Sequence, residues 1–297
     1  MGGTQESVRI VVVRRRFSDQ MQSAAAVWSR RIAVFALIVA ALSVVVIRSE
    51  LLEIGPSLAT FAAALAFAVF AILLGLVALI AIWRQGLNGL GSALLGIVLA
   101  AALLPYPAYL AYRNYKQPSV PDITTDTADP PRYDVIARLR ERGSNDFSAA
   151  KVQAQKASFP DLAPLQVSSP PAVAYNAALD VVTKRKWRVV DARAPVAGRR
   201  DGIVEAVARS PVMGFRDYVV IRVRASGKDS RVDARSAARY PFLDLGGENA
   251  TRVRVLLEDI DEATTTAQAR LDREAERNAE RAAEKNAPAQ KPAQRKR

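Results

Sequence analysis

Whatever chemistry this sequence has rests on arginine and aspartate, and these fall in a pattern. Alternation along Tyr218–Ala225 and Ser230–Arg239 sets Arg222 and Arg224, with Arg231, Asp233 and Arg235, on one side of two adjoining strands. Forked guanidinium groups suit phosphate or carboxylate. Arg222, Arg235 and Arg239 therefore form a candidate anion-binding patch, with Asp217 and Asp233 to orient them. The same alternation also describes a solvated sheet face laced by cross-strand ion pairs, each contributing little. Both readings stand at this level.

The 297 residues include no His and no Cys. That removes the commonest general base, the commonest zinc ligands and any thiol nucleophile. Ser236 has no base to activate it, and nucleophile-elbow, phosphate-loop and dinucleotide motifs are absent. No catalytic residue is assigned, and no metal or cofactor is expected. Asp122, Thr124, Thr125, Asp126 and Asp129 supply oxygen atoms but lack the spacing and bidentate Glu of a calcium loop. They read as an extended strap whose side chains satisfy nearby backbone.

The elements that carry these residues form an α+β domain of order α-β-β-β-β-α. A helix led by Pro170-Pro171, with Ser168 or Ser169 as cap, runs to about Lys186. Strands follow at Trp187–Ala194, Ile203–Ser210, Tyr218–Ala225 and Ser230–Arg239, joined by short Gly-containing turns that favour antiparallel hairpins. A last helix, about Glu248–Ala263, spaces Val253, Leu256, Leu257 and Ile260 at helical period. Both helices are expected on the apolar face, leaving the charged face open.

Ahead of this domain lies an apolar block, 32–112, in which charge nearly vanishes. It reads as three transmembrane helices: Arg31–Ile47, Leu58–Trp83 and Leu87–Leu104. Gly55-Pro56 breaks the first loop, and Trp83 with Tyr106, Tyr109, Tyr112 and Tyr115 fits interfacial belts. Ser92 and Gly96 have the small-xxx-small spacing of close helix packing. The segment 1–31 holds six arginines against two acids, so the N-terminus is expected in the cytoplasm and the domain outside it. That is the layout of a multi-pass inner-membrane protein with a periplasmic or otherwise extracytoplasmic domain.

The remaining divisions are a Pro- and Asp-rich linker over 113–132, the soluble domain over 133–262 and a charged tail over 263–297 expected to lack regular structure. The net charge of +13 is strongest at the two ends, whereas 120–262 carries 23 cations against 20 acids. Nucleic acid is excluded as a partner, because a binder concentrates Lys and Arg on its domain.

Several short motifs coincide with a known pattern. Asp122-Ile123-Thr124-Thr125-Asp126 with Asp129-Pro130-Pro131, and Phe159-Pro160-Asp161-Leu162-Ala163-Pro164, resemble the opening motifs of the domain of unknown function 1499 family. Gly214-Phe215-Arg216-Asp217, Val232-Asp233-Ala234-Arg235-Ser236 and Asp244-Leu245-Gly246 before Asn249 are similar to its later ones. The resemblance implies a membrane-anchored member and supplies no activity. The expected function is a ligand-binding or scaffold module, with the bilayer, an anionic small molecule or an envelope protein as partner. The alternative is a hydrolase-like enzyme on an anionic phosphoester or lipid head group, using carboxylate and arginine chemistry.

Overall fold

In the apolar part, small residues recur at every third to fourth position, and they decide how the helices meet. The computed structural model describes residues 21–116, 119–139, 146–196, 200–244 and 247–286. Helix α1 is Ala24–Ser49, α2 Ile54–Gln85, α3 Leu90–Ala101 and α4 Pro105–Lys116. Three stretches are long and apolar enough to cross a membrane: α1, α2 and the combined Leu90–Lys116. Ala26, Ser29, Ala33 and Ala36 of α1 are buried against Ala64, Ala68, Ala71 and Gly75 of α2 and Ala93, Gly96 and Ala100 of α3. A Cβ on Gly96 would lie 2.8 Å from the backbone nitrogen of Arg30, so the close approach of α1 and α3 depends on glycine there. The buried stripe of α3 therefore runs through Ala93 and Gly96; Ser92 is only half-buried.

Helices α1 and α2 are longer than their apolar cores, and the third expected span, Leu87–Leu104, gives way to two helices, α3 and α4. Gly55-Pro56 lies in the first turn of α2, where proline is tolerated, and does not break the loop. Gly86, at φ +66°, caps α2 and donates its amide to the Ile82 carbonyl. The sequence before Met21, including Arg14–Arg16 and Val8–Val13, lies outside the described residues.

The second unit is built on one antiparallel sheet. Strand β1 is Asp122–Thr124, β2 Leu165–Val167, β3 Arg188–Arg193, β4 Gly202–Arg209, β5 Arg216–Ser226 and β6 Asp229–Ala238, with edge-to-edge order β1-β6-β5-β4-β3. The short β2 shares the outer edge of β6 with β1. Helices α5 (Ala149–Ser158), α6 (Pro171–Lys184) and α7 (Glu248–Asn286) complete the unit. The four expected strands and the two flanking helices are all present. The segment read as a linker supplies β1, and the charged tail begins inside α7, which continues to Asn286. Ala, Glu and Arg are good helix formers, so the exposed half of α7 needs no apolar partner to stay helical. Residues 287–297 lie outside the described residues.

Packing follows the alternation. Val204, Ala206, Val219, Ile221, Val223, Val232 and Ala234 face Ala174, Ala178, Val181 and Val182 of α6 and Ala250, Val253, Leu256 and Ile260 of α7. Both helices thus cover one face. Pro170 occupies the cap position of α6 without a side-chain cap, while Ser169 gives its carbonyl to the Ser230 hydroxyl. Ile136–Leu139 forms a 3-10 turn.

Candidate functional site

The charged face of the sheet is not open. Glu205, fully buried on β4, receives the amides of Asp134, Val135 and Ile136 at 2.6, 3.3 and 2.9 Å. Those are the otherwise unpaired donors at the start of the 3-10 turn, and a carboxylate is the acceptor they favour. Tyr133 and Ile136 then pack on Val207, Tyr218, Val220 and Ala237, and the Tyr133 hydroxyl donates to the Tyr218 carbonyl. The segment from Asp122 to Leu139 is a strap across the face expected to meet solvent.

Beneath the strap, three aspartates meet three arginines. Asp233, fully buried, accepts from Arg222 at 3.1 Å, Arg224 at 2.8 Å and Arg231 at 3.0 Å. Asp126 accepts from Arg224 at 3.0 Å and Arg231 at 2.7 Å, and Asp129 from Arg222 at 2.9 Å and Arg224 at 3.2 Å. Arg222 also donates to the Asp129 carbonyl at 2.7 Å. Burial pushes the Asp126 carboxyl up, but the amides of Asp129 and Ala128 and the charge of Arg231 outweigh it and hold it below its usual range. The charges cancel within the cluster.

The predicted patch is divided among four places. Arg222 and Asp233 come together, as the alternation required. Arg235 stands apart, fully buried, with its fork on Asp122 at 2.9 and 2.8 Å and its plane between the rings of Tyr133 and Phe147. It fastens β1 to β6 and faces no solvent. Arg239 lies past the end of β6, its guanidinium over the Tyr240 ring. Asp217 is on the opposite face, because it is two residues from Val219 and shares its side of the strand.

There Asp217 pairs with Arg252 of α7 at 2.5 Å. Arg252 also reaches Asn249 and Ser236, at 2.7 and 3.1 Å, and Ser236 donates to Asn249. Asn249 in turn reaches Asp244, which accepts the Val120 amide at 2.9 Å. This polar seam ties the start of α7 to β5, β6 and the strap. Burial, with Glu248 and Asp244 nearby, pushes the Asp217 carboxyl up to about 6 against the pull of Arg252.

The charged side has openings at the margins of the strap, one of about 660 Å³ lined by Tyr133, Asp134, Val135, Ala137, Arg138, Asp191 and Arg193 and a smaller one beside it. The smaller, a cleft of about 280 Å³, is lined by Asp129, Arg132, Asp134, Arg193, Arg200, Asp201, Ile203 and Arg222. Among the described residues no group of three or more acidic side chains is placed to hold a metal. Residues that sequence reasoning underweighted are Asp126 and Asp129, taken as local strap residues, and Glu205 and Arg252. Only the alternation of Glu205 with Val204 and Ala206 hinted at its place on the charged face.

Residues 122–260 match the family described as Protein of unknown function (DUF1499), from the first residue of β1 to the last buried apolar residue of α7. The chain carries a DUF1499 domain. No curated protein matches it. Among solved structures, that entitled crystal structure of Ara h 8.0201 is 11% identical and covers 35% of this chain and 95% of its own, with a TM-score of 0.22. Protein NE0264 from Nitrosomonas europaea is 12% identical, with coverage of 36% and 95% and a TM-score of 0.19. Neither likeness adds to the account of the DUF1499 domain, which rests on its own contacts.

Two consequences are measurable on the full chain in detergent. Arg222→Ala leaves buried carboxylates short of a partner and should destabilise the DUF1499 domain by about 3 kcal/mol. The exposed Arg200→Ala should leave the unfolding midpoint unchanged; equal midpoints for both variants would contradict the cluster. Asp217 is raised from its ordinary 3.8 to about 6, so the folded state holds its proton more tightly than the unfolded state. Its charged form is therefore a liability that is relieved as pH falls from about 6 towards 3.8. Asp217→Asn lacks that gain, so wild type should improve relative to the variant between pH 7 and pH 4.5. A midpoint difference independent of pH would refute the assignment.

Proposed function

We propose that this protein is a multi-pass membrane protein whose three spans hold the DUF1499 domain on the non-cytoplasmic side of the inner membrane, where it acts by binding. It serves there as a ligand-binding or scaffold module of the cell envelope. The observation that carries the binding reading is the closed charge balance beneath the strap. Asp126, Asp129 and Asp233 are committed to Arg222, Arg224 and Arg231, and Asp122 to Arg235.

The hydrolase alternative needs a carboxylate free to exchange a proton with substrate and an acid or nucleophile opposite it. Asp217, whose proton is held up to about 6, is the best placed by pKa, but Arg252 and the first turn of α7 cover it. Binding asks less of the domain: a stable surface, which the strap provides.

Placement outside the cytoplasm is supported by charge. The arginines of 1–31 outnumber those of any later loop, and the connection between α1 and α2 has Glu50 and Glu53 beside Arg48. Arg84, in the last turn of α2, agrees with a cytoplasmic turn after it. Arg113 and Lys116 near the end of α4 oppose this, yet they are two charges against a larger N-terminal excess.

Paired reporters fused after Arg297 test the placement. Alkaline phosphatase, which needs oxidising conditions for its disulfides, should be active, and a green fluorescent protein exported by the same route should stay dark. A dark phosphatase with a bright fluorescent fusion would place the domain in the cytoplasm and overturn the reading.

A further inference from the structure

Part of the charged face is not consumed by the internal ion pairs. In the cleft lined by Arg132, Arg193, Arg200 and Arg222, two of the four guanidiniums are spoken for: Arg222 by Asp129 and Asp233, and Arg193 by Asp134 and Asp191. Arg132 and Arg200 are exposed and make no ion pair among the described residues. Both have neighbours tied into the fold. Arg132 follows Pro130-Pro131 on the strap just before the buried Tyr133, and Arg200 stands in an antiparallel bridge with Val196 immediately before β4. Asp129 and Asp134 are neutralised by their own arginines, and Asp201 is the remaining acid at the rim.

We infer that this cleft binds a phosphate group, with Arg132 and Arg200 as the ligating residues and Arg222 and Arg193 as the fixed wall behind them. This rests on the binding reading above and names its ligand class. Two guanidiniums on separate segments suit an anion with acceptors on several sides. A phosphate monoester offers three oxygens and close to two charges, whereas a carboxylate presents two oxygens in one plane and is satisfied by a single fork. A volume of about 280 Å³ lies below the range of drug-sized sites and suits a phosphate with a short substituent over the Ile203 side chain. The site differs from the patch read from strand alternation, because Arg235 is sealed inside and Arg239 lies beyond the end of β6.

The test uses the purified full chain in nonionic detergent at fixed ionic strength, with the thermal unfolding midpoint as the readout. One arm titrates inorganic phosphate and glycerol 3-phosphate against chloride in phosphatidylcholine-containing micelles. The other replaces part of that lipid with phosphatidic acid. Wild type should show a saturable rise in at least one arm. A response to the soluble esters identifies a free phosphomonoester as the ligand, and a response confined to phosphatidic acid identifies a lipid head group. In R132Q/R200Q the half-saturating concentration should rise about a hundredfold or more, and in each single variant about tenfold or more, one charge-assisted hydrogen bond being lost per residue. The single variants R132Q and R200Q give the same comparison if the double variant does not fold. No rise in either arm, or an unchanged titration in the variants, would overturn the site. The titration is independent of which side of the membrane the domain occupies, so a cytoplasmic reporter result would defeat the placement without touching this site.

Discussion

Asp233 sits fully buried in the middle of β6, and three guanidiniums converge on its carboxylate. A charge in that position is tolerable only when paired and hydrogen-bonded. The pairing cannot be completed within the sheet alone, because β5 and β6 contribute three arginines to the cluster and one aspartate. Asp126 and Asp129 bring the missing charge, and both belong to the strap. The strap therefore lies where it does because the sheet face is charged. Its backbone is then pinned at three further points: Asp122 to Arg235, the amides of 134–136 to Glu205, and the Tyr133 ring to an apolar floor.

The opposite face follows the ordinary rule of apolar strands under two helices. Its polar seam through Asp217, Arg252, Asn249 and Asp244 fixes the start of α7 over the start of β5. Just ahead of the strap, the Val120 amide is held by Asp244, which also bonds Asn249 in the first turn of α7. The two faces are thus coupled through one short segment, and the family match begins two residues beyond it. The cleft at Arg132 and Arg200 lies at the margin of the strap, where the demand for internal neutralisation ends.

Much of this was legible in the residues. The period of two placed Arg222, Arg224, Arg231, Asp233 and Arg235 on one side correctly, and the helical spacing of Val253, Leu256 and Ile260 predicted the face of α7 that packs. Applied to Asp217 as strictly, the same parity would have put it with Val219 on the helix side. What sequence reading lacked was the long-range pairing. The Pro-rich stretch 117–132 has the composition of a linker, and nothing local shows that Asp126 and Arg222, 96 positions apart, share a hydrogen bond. A charged strand face looks solvated until its cover is known. The apolar helices are the easier part, since length and composition suffice; the first two start earlier than expected because Arg30 and Pro56 fit helical positions that an apolar window omits.

The central claim is that a neutralised charge cluster holds the strap closed over the sheet. Amide hydrogen exchange on the full chain in detergent at pH 7 tests it most directly. The amides of Thr124, Thr125, Asp126, Asp134 and Ile136 each have a partner in the fold. They should exchange on the slow timescale of β5 and β6. Exchange as fast as that of the exposed end of α7, around Arg277–Ala283, would mean that the strap opens freely and that the charged face is closed only in passing.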